Sequence, residues 1–410
     1  MAFGPGECER CRNDFPALRR EVDGRRLVFL DGPAGTQVPQ SVIDAVSDYY
    51  RASNANTHGA FVTSRETDEM IRAAREAVAA FLGAPSGREI SFGANMTTLT
   101  YSLSQALARE MRPGDEIVIT ELDHEANRGP WLALRERGVV VREVALRHEG
   151  TLDYEDMRRK VTDRTKVIAV GYASNALGTV NDVPLARRLS QEVGAWLLVD
   201  AVHYAPHFPL DVTTLDADFL LCSAYKFYGP HVGILYTRPG LLTKLRTDKL
   251  RTQDDEAPFR IETGTLNHAA IAGVKSAIEY IASWGRGATL RQRLVSAMEA
   301  IREYEHSLAS LYWENVRGLP GVVAWGRDFS SPRRAPTVSI TVAGARAAEV
   351  ARALGEQGIL VWDGDFYAAR AIEVLGLAER GGVLRTGISM YNTREEVERL
   401  LEGVRRLSER

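Results

Sequence analysis

The sequence predicts an α/β fold, a mostly parallel sheet with helices on both faces, followed by a smaller α+β domain. Two observations carry this reading. From about residue 70 to 280, short β-rich runs alternate with longer helical ones. Strands separated by helices of that length imply crossover units, and crossovers imply parallel neighbours. After about residue 285 the texture changes to one long helix, then short strands and helices.

The β-rich runs are EIVIT (116–120), VVVREV (139–144), KVIAVG (166–171), AWLLVD (195–200), ADFLLCS (217–223) and VGILY (232–236). Before them, SFGANMTTLTYSLSQALAREM (91–111) reads as a short strand, a turn and a helix. Helical patterns at 127–138, 152–161 and 184–194 separate most of the runs. The last two runs are too close for a helical crossover, so they are expected to pair antiparallel. Beyond residue 285 a long helix runs to Gly318, then a strand at 337–344 and a helix at 345–358. The terminal helix opens with a capping box from Thr393 to Glu396. Its Val397, Leu400, Leu401, Val404 and Leu407 follow helical spacing and read as a core stripe. RDFSSPRRAP (327–336) reads as an exposed loop. The expected divisions are an N-terminal segment (1–45, a tail and then packing with the small domain), a large cofactor-binding domain (46–284) and a small C-terminal domain (285–410).

The chain of 410 residues is 45% apolar and 26% charged, as ordinary globular proteins are. Its net charge of −3 comes from interspersed residues of both signs, with no basic stripe to suggest nucleic acid. No window is long and apolar enough for a membrane span, and the first residues have no apolar signal core. The expected compartment is the cytoplasm. The three cysteines, Cys8, Cys11 and Cys222, are too few and odd in number for a disulfide framework. Cys8 and Cys11 form half of a zinc pattern whose other half is missing, so no metal site is expected. They read as part of a mobile N-terminal tail, with a redox pair or a site shared across a dimer as the minority reading.

In an open parallel sheet, ligands bind beyond the carboxyl ends of the strands. His124 follows the run at 116–120, Asn175 the run at 166–171, and Lys226 the run at 217–223. Asp200 ends the run at 195–200, with His203 close behind. Each of these taken alone is more often structural; the argument rests on their sharing one edge with a lysine. The turn Gly93–Asn95–Met96–Thr97 at a helix start adds a phosphate site, since free N–H groups and hydroxyls gather there. No G-x-G-x-x-G or Walker pattern accompanies it. Pyridoxal 5′-phosphate uses every one of these groups. Lys226 would form the Schiff base and Asp200 would hold the ring nitrogen protonated. His124 would stack on the ring, Asn175 and His203 would donate to its hydroxyl, and Thr97, Met96 and Ser223 would bind phosphate.

At these residues the chain resembles fold-type I pyridoxal-phosphate enzymes. More narrowly, it resembles the class V aminotransferase group that contains cysteine desulfurases and selenocysteine lyases. The resemblance runs from VFLDGPAGTQVPQSVIDAV (28–46) nearly to the end, through ELDHEANRGPW, ASNALGTVNDV, VDAVHYAPHFPLDV, SAYKFYGP, IETGTLN and LRTGISMYNTREEVERL. It implies that Thr265 reaches the cofactor phosphate of a neighbouring subunit, hence a homodimer. It implies that Arg385 grips the substrate carboxylate, a task suited to a guanidinium, and that His58 lies near the substrate end of the pocket. The chain departs from the family pattern at His203, where glutamine is usual, and at Tyr225, where histidine is frequent. It also lacks the family's loop cysteine, which takes sulfur from the substrate as a persulfide. Residues 358–387 contain no cysteine, and Trp362, Asp363, Asp365, Phe366 and Tyr367 occupy the loop instead.

The implied activity is C–S or C–Se lysis of a small amino acid, with Lys226 as the base at Cα. Without a cysteine nucleophile, release of sulfide or selenide is favoured over persulfide transfer. Transamination, epimerisation or decarboxylation of an unusual amino acid is the alternative chemistry. A non-catalytic pyridoxal-phosphate-binding module is the alternative of another class. Cys222 is expected to be core packing.

Overall fold

Seven strands form the central sheet of the computed structural model, which describes residues 3–409. In chain order they are β1 (Ile90–Gly93), β2 (Glu116–Thr120), β3 (Val140–Val144), β4 (Thr165–Gly171), β5 (Trp196–Asp200), β6 (Phe219–Ser223) and β7 (Gly233–Thr237). Their spatial order is β1-β7-β6-β5-β4-β2-β3. The ladders from β3 through β2, β4 and β5 to β6 are parallel. β7 runs against both of its neighbours, as the short connection from β6 requires. Every residue of β2, β5's last four, β6 and β7 is buried, which explains their near-continuous apolar runs. Only β3, at the sheet edge, mixes exposed with buried positions.

The helical pattern at 127–138 is broken into short pieces: turns of 3₁₀ helix flank a four-residue helix, Gly129–Leu132. Pro130 can start a helix but cannot extend one backwards, and Gly138, at φ 79°, ends the segment. The other two patterns form, as Tyr154–Lys160 and Val183–Val193, each with an aspartate cap. Among the described residues no helix is long and apolar enough to cross a membrane.

A second, antiparallel sheet holds β8 (Val322–Trp325), β9 (Thr337–Val342), β10 (Trp362–Gly364) and β11 (Val383–Gly387), in the order β8-β9-β11-β10. The long helix α1 (Leu290–Val316) packs between the two sheets' helices, touching Val62–Leu82, His268–Ser283 and the terminal helix Arg394–Ser408. The terminal capping box forms as read, and Val397, Leu400, Leu401 and Val404 are buried.

Two expectations are corrected. Cys8 and Cys11 do not lie on a mobile tail. They are fully buried on the helix Pro5–Arg12, with their thiols against the Asn392 and Met390 carbonyls. Arg12 pairs with Glu396 at 2.8 Å, so the segment is fastened to the terminal helix by charge as well as packing. The stretch 327–336 is not a fully exposed loop either: Phe329, Arg334 and Ala335 are buried. The Arg334 guanidinium lies over the Phe329 ring at 4.8 Å and donates to the Arg327 and Ala335 carbonyls. An arginine with a ring face and carbonyl acceptors can be buried where composition alone suggests solvent.

Candidate active site

A cavity of about 890 Å³ opens beyond the carboxyl ends of β2, β4, β5 and β6 and is closed from the other side by residues 362–367 and Arg385. Nine of the residues singled out in the sequence line it: Met96, Thr97, His124, Asn175, Asp200, His203, Ser223, Lys226 and Arg385. Thr265 and His58 do not line it. Thr265 is exposed, and His58 is exposed beside Asp68 at 3.5 Å.

Lys226 stands in a 3₁₀ turn directly after β6. The turn is held by the Ala224 N–H bonded to the Val232 carbonyl, which ties it to the approach of β7. Lys226 Nζ donates to the Pro33 carbonyl and lies 4.8 Å from the centre of the Tyr225 ring. Burial, helped by the Arg385 charge and opposed by Asp200, pushes its pKa down to about 7. A neutral amine is therefore well populated near neutral pH, as nucleophilic lysines require.

Asp200 ends β5, only 7% exposed, and accepts the Val202 N–H at 2.9 Å. Burial pushes its carboxyl up to about 6, against the pull of that N–H and of Lys226. It remains a carboxylate at neutral pH, facing the lysine's field. His124 is held the opposite way: burial first, then Lys226 and Arg385, push it down to about 4. Its Nδ1 accepts the Ala126 N–H at 2.9 Å, so the neutral ring carries its proton on Nε2. An uncharged imidazole is the form that lies flat against an electron-poor ring. His203 is also kept neutral by burial, with Nε2 2.9 Å from the Thr337 hydroxyl.

The expected phosphate site is the start of the helix Met96–Ala108. Asn95 caps it by accepting the Thr98 N–H, and the Met96 N–H reaches the Ser223 hydroxyl at 3.1 Å. Among the described residues the Thr97 N–H has no acceptor, so it is left for a ligand. Gly233 lets this turn approach the sheet: a Cβ there would sit 2.3 Å from the Asn95 carbonyl carbon.

Arg385 on β11 is 4% exposed and pairs across the ladder with Trp362. One guanidinium nitrogen donates to the Asn175 carbonyl at 3.0 Å, and the plane lies 3.9 Å from the Phe366 ring centre. Burial pushes its pKa down to about 9, with Asp31 opposing, so it stays cationic at neutral pH. Its Nε is buried without a partner, as are the side-chain oxygens of Asn175 and Asn181. Such orphaned groups are costly unless a polar ligand pairs them. They fit a phosphorylated, hydroxylated aromatic aldehyde and an amino-acid carboxylate.

Sequence reasoning missed Asp123. It accepts the Gly171 N–H at 2.8 Å and the Asn127 side chain at 3.2 Å, and so fixes the backbone of its neighbour His124. A Cβ at Gly171 would fall 2.7 Å from Asp123 Oδ1. The motif ELDHEAN contained the residue, but its partner lies 48 positions away in sequence, where spacing carries no signal. Asn181, which donates to the Gly171 carbonyl at 2.7 Å from ten positions on, was missed as well. Cys222 is fully buried on β6 in the core, and burial raises its thiol pKa well above the ordinary value. It is no nucleophile.

A strand-end lysine, a carboxylate on the neighbouring strand and a helix N-terminus around one cavity suit a phosphorylated aldehyde cofactor. Comparison with known proteins makes this particular. A family model for Aminotransferase class-V matches residues 28–400. A cysteine desulfurase of Serratia proteamaculans (strain 568) is 34% identical over 97% of this chain and 98% of its own length. The apo structure of the cysteine desulfurase of Thermococcus onnurineus NA1 superposes with a TM-score of 0.87 at 28% identity, covering 98% of each chain. The cysteine desulfurase CsdA of Escherichia coli does so with a TM-score of 0.84 at 28% identity, again over 98% of each chain. The chain belongs to the class-V aminotransferase family, whose members are pyridoxal-phosphate enzymes.

Proposed function

We propose that the chain is a pyridoxal-phosphate-dependent C–S (or C–Se) lyase acting at Cα and Cβ of an amino acid, working as a homodimer. The observation that carries this is the half-buried Lys226, its pKa lowered to about 7, placed in one cavity with Asp200 and the unpartnered Nε of Arg385. The relatives named cysteine desulfurase, similar over nearly their whole length, support the same reading.

The bound cofactor supplies an electron-withdrawing ring that makes the substrate's Cα proton acidic. The rest is the work of this chain's residues. The free Thr97 N–H and the Ser223 hydroxyl, which the Met96 N–H holds in place at 3.1 Å, would bind phosphate at the helix start. Asp200 would keep a proton on the ring nitrogen, His124 would lie against the ring, and His203 and Asn175 would bind the ring hydroxyl. Arg385 takes the substrate carboxylate through its unpaired Nε. Lys226 Nζ, with its pKa lowered to about 7, is largely neutral above that pH and would take the Cα proton and return it to the departing sulfur. No thiol stands in residues 358–387, so sulfur leaves as sulfide or a thiol. His58 and Thr265, both on the exposed surface of one chain, complete the pocket of a second copy.

The test is an absorbance scan of the cofactor-loaded protein with a panel of amino acids, coupled to product analysis. Sulfide with pyruvate and ammonium from cysteine is the expected result. Keto acid or inverted stereochemistry from another amino acid, without sulfur release, would replace the lyase reading with transamination or epimerisation. No spectral response to any amino acid would make the chain a binding module.

A further inference from the structure

We propose that the substrate is a cysteine thioether whose S-substituent ends in a positive charge, recognised by Asp365 with the rings of Trp362 and Tyr367. The inference rests on the C–S lyase reading and deepens it.

The loop 362–367 roofs the cavity and is pinned there. The Asn175 side chain donates to the Phe366 carbonyl at 2.8 Å, and the Glu125 N–H donates to the Tyr367 carbonyl at 2.7 Å. Phe366 and Tyr367 both have positive φ, 56° and 58°. Consecutive non-glycine residues in that region are strained, and strain of this kind persists where it aims side chains at a ligand. Beneath the loop, the unpartnered Nε of the buried Arg385 marks where the α-carboxylate goes. Trp362 sits directly across the ladder from Arg385, so both side chains share a face. Whatever extends from the substrate's Cβ therefore leaves past Trp362 and Tyr367.

That exit is built from aromatic faces and carboxylates. Trp362 is 51% exposed, Tyr367 71% and Tyr101 45%, and all three line the cavity. Asp363 and Asp365 line it too. Asp365 only accepts the Tyr367 N–H, at 2.8 Å, and its charge reaches His124 inside the cavity. Of the cations beside the loop, Arg370, in the helix that follows it, is committed to Glu121 and Glu373, and Arg385 lies against Phe366 on the α-carboxylate side. Aromatic faces joined to unpaired carboxylates attract cations and repel anions. The cavity, about 890 Å³, is near the upper end of small-molecule sites, which leaves room for a substituent on the substrate's sulfur.

The reaction balances without an oxidant or reductant. In R–S–CH₂–CH(NH₃⁺)–COO⁻ the Cβ–S bond breaks, the Cα proton goes to sulfur, and RSH leaves. The 2-aminoacrylate that remains takes up water to give pyruvate and ammonium.

Three thioethers of similar size test this: S-(2-aminoethyl)cysteine, S-propylcysteine and S-(carboxymethyl)cysteine. The expected order of kcat/KM is cationic, neutral, anionic, with about tenfold between the first two. Calorimetric binding to the cofactor-loaded Lys226→Ala protein, in which turnover is slowed by about 10²–10⁴-fold, should give the same order in Kd. Asp365→Asn should bring the cationic-to-neutral ratio close to one, and Asp365→Glu should keep it. Equal use of the cationic and neutral thioethers, or a ratio untouched by Asp365→Asn, overturns the inference. Turnover of cysteine with none of the three also overturns it while leaving the lyase reading intact. Failure to release sulfur from any substrate, cysteine included, overturns the lyase reading itself.

Discussion

At the scale of single residues, the decisive group is an amine whose charge the fold disfavours. Below about pH 7 the Lys226 amine is protonated and cannot add to a carbonyl; above it the neutral form predominates. Capture of pyridoxal phosphate by the apoprotein should therefore speed up as pH rises through about 7 and then level off. An unshifted lysine would still be accelerating near pH 10. Stopped-flow absorbance across pH 5–10, with borohydride fixing the label for peptide mapping, checks both the rate and the residue. Lys226→Ala should lose about 10²–10⁴-fold in kcat, the usual contribution of a positioned base. Arg385→Lys should act on the other parameter. Lysine keeps the charge but not the fork, so KM should rise by about 10- to 100-fold with a smaller change in kcat. Steady-state kinetics separates the two. Lys226 was legible in the sequence because it sits at the end of an apolar run, where a charged side chain has no packing reason to be, and Arg385 only through the family resemblance of LRTGISMYN. Asp123 was not, because its role depends on a backbone N–H that only folding brings to it.

At the scale of elements, the site depends on how strand ends and loops are clamped. The seven-strand sheet was readable since fully buried strands must be apolar throughout. β10 was not, since three residues, Trp-Asp-Gly, have no periodicity, and their strand character comes from pairing with β11. The stretch that carries Thr265 shows the same dependence on partners. Glu262, just before it, forms a two-pronged pair with Arg75 at 2.7 Å and accepts the Phe92 N–H at 2.6 Å. Both side chains are more than nine-tenths buried. Glu262→Ala leaves the Arg75 charge buried without its counterion, which costs about 3–5 kcal/mol. Denaturant unfolding should show that loss, and it should exceed the loss in the Arg75→Met/Glu262→Leu double variant, where neither charge remains. Equal losses would mean that the pair is not what holds this segment.

At the scale of the whole molecule, the single chain leaves two of its sequence-identified residues outside its own cavity. His58 and Thr265 are both exposed, and the His58 ring lies 6.5 Å from Phe259, itself 37% exposed. Nearby in the chain, Phe61 and Val62 are also more than half exposed, at 57% and 59%. Isolated exposed apolar residues need no explanation, but large ones beside unused polar residues suit a surface that another copy covers. A homodimer joins these facts, because each copy would then supply Thr265 to the partner's phosphate site. The joint variant Phe61→Asp/Phe259→Asp places charges on that surface while leaving every residue of the cavity unchanged. Sedimentation should show a dimer for the parent chain and a monomer for the variant. Losing a hydrogen bond to a charged phosphate costs about 1.5–3 kcal/mol, so the monomer should bind pyridoxal phosphate about 10- to 100-fold more weakly. A monomer with undiminished cofactor affinity would show that one chain holds its cofactor alone and that Thr265 has no part in it.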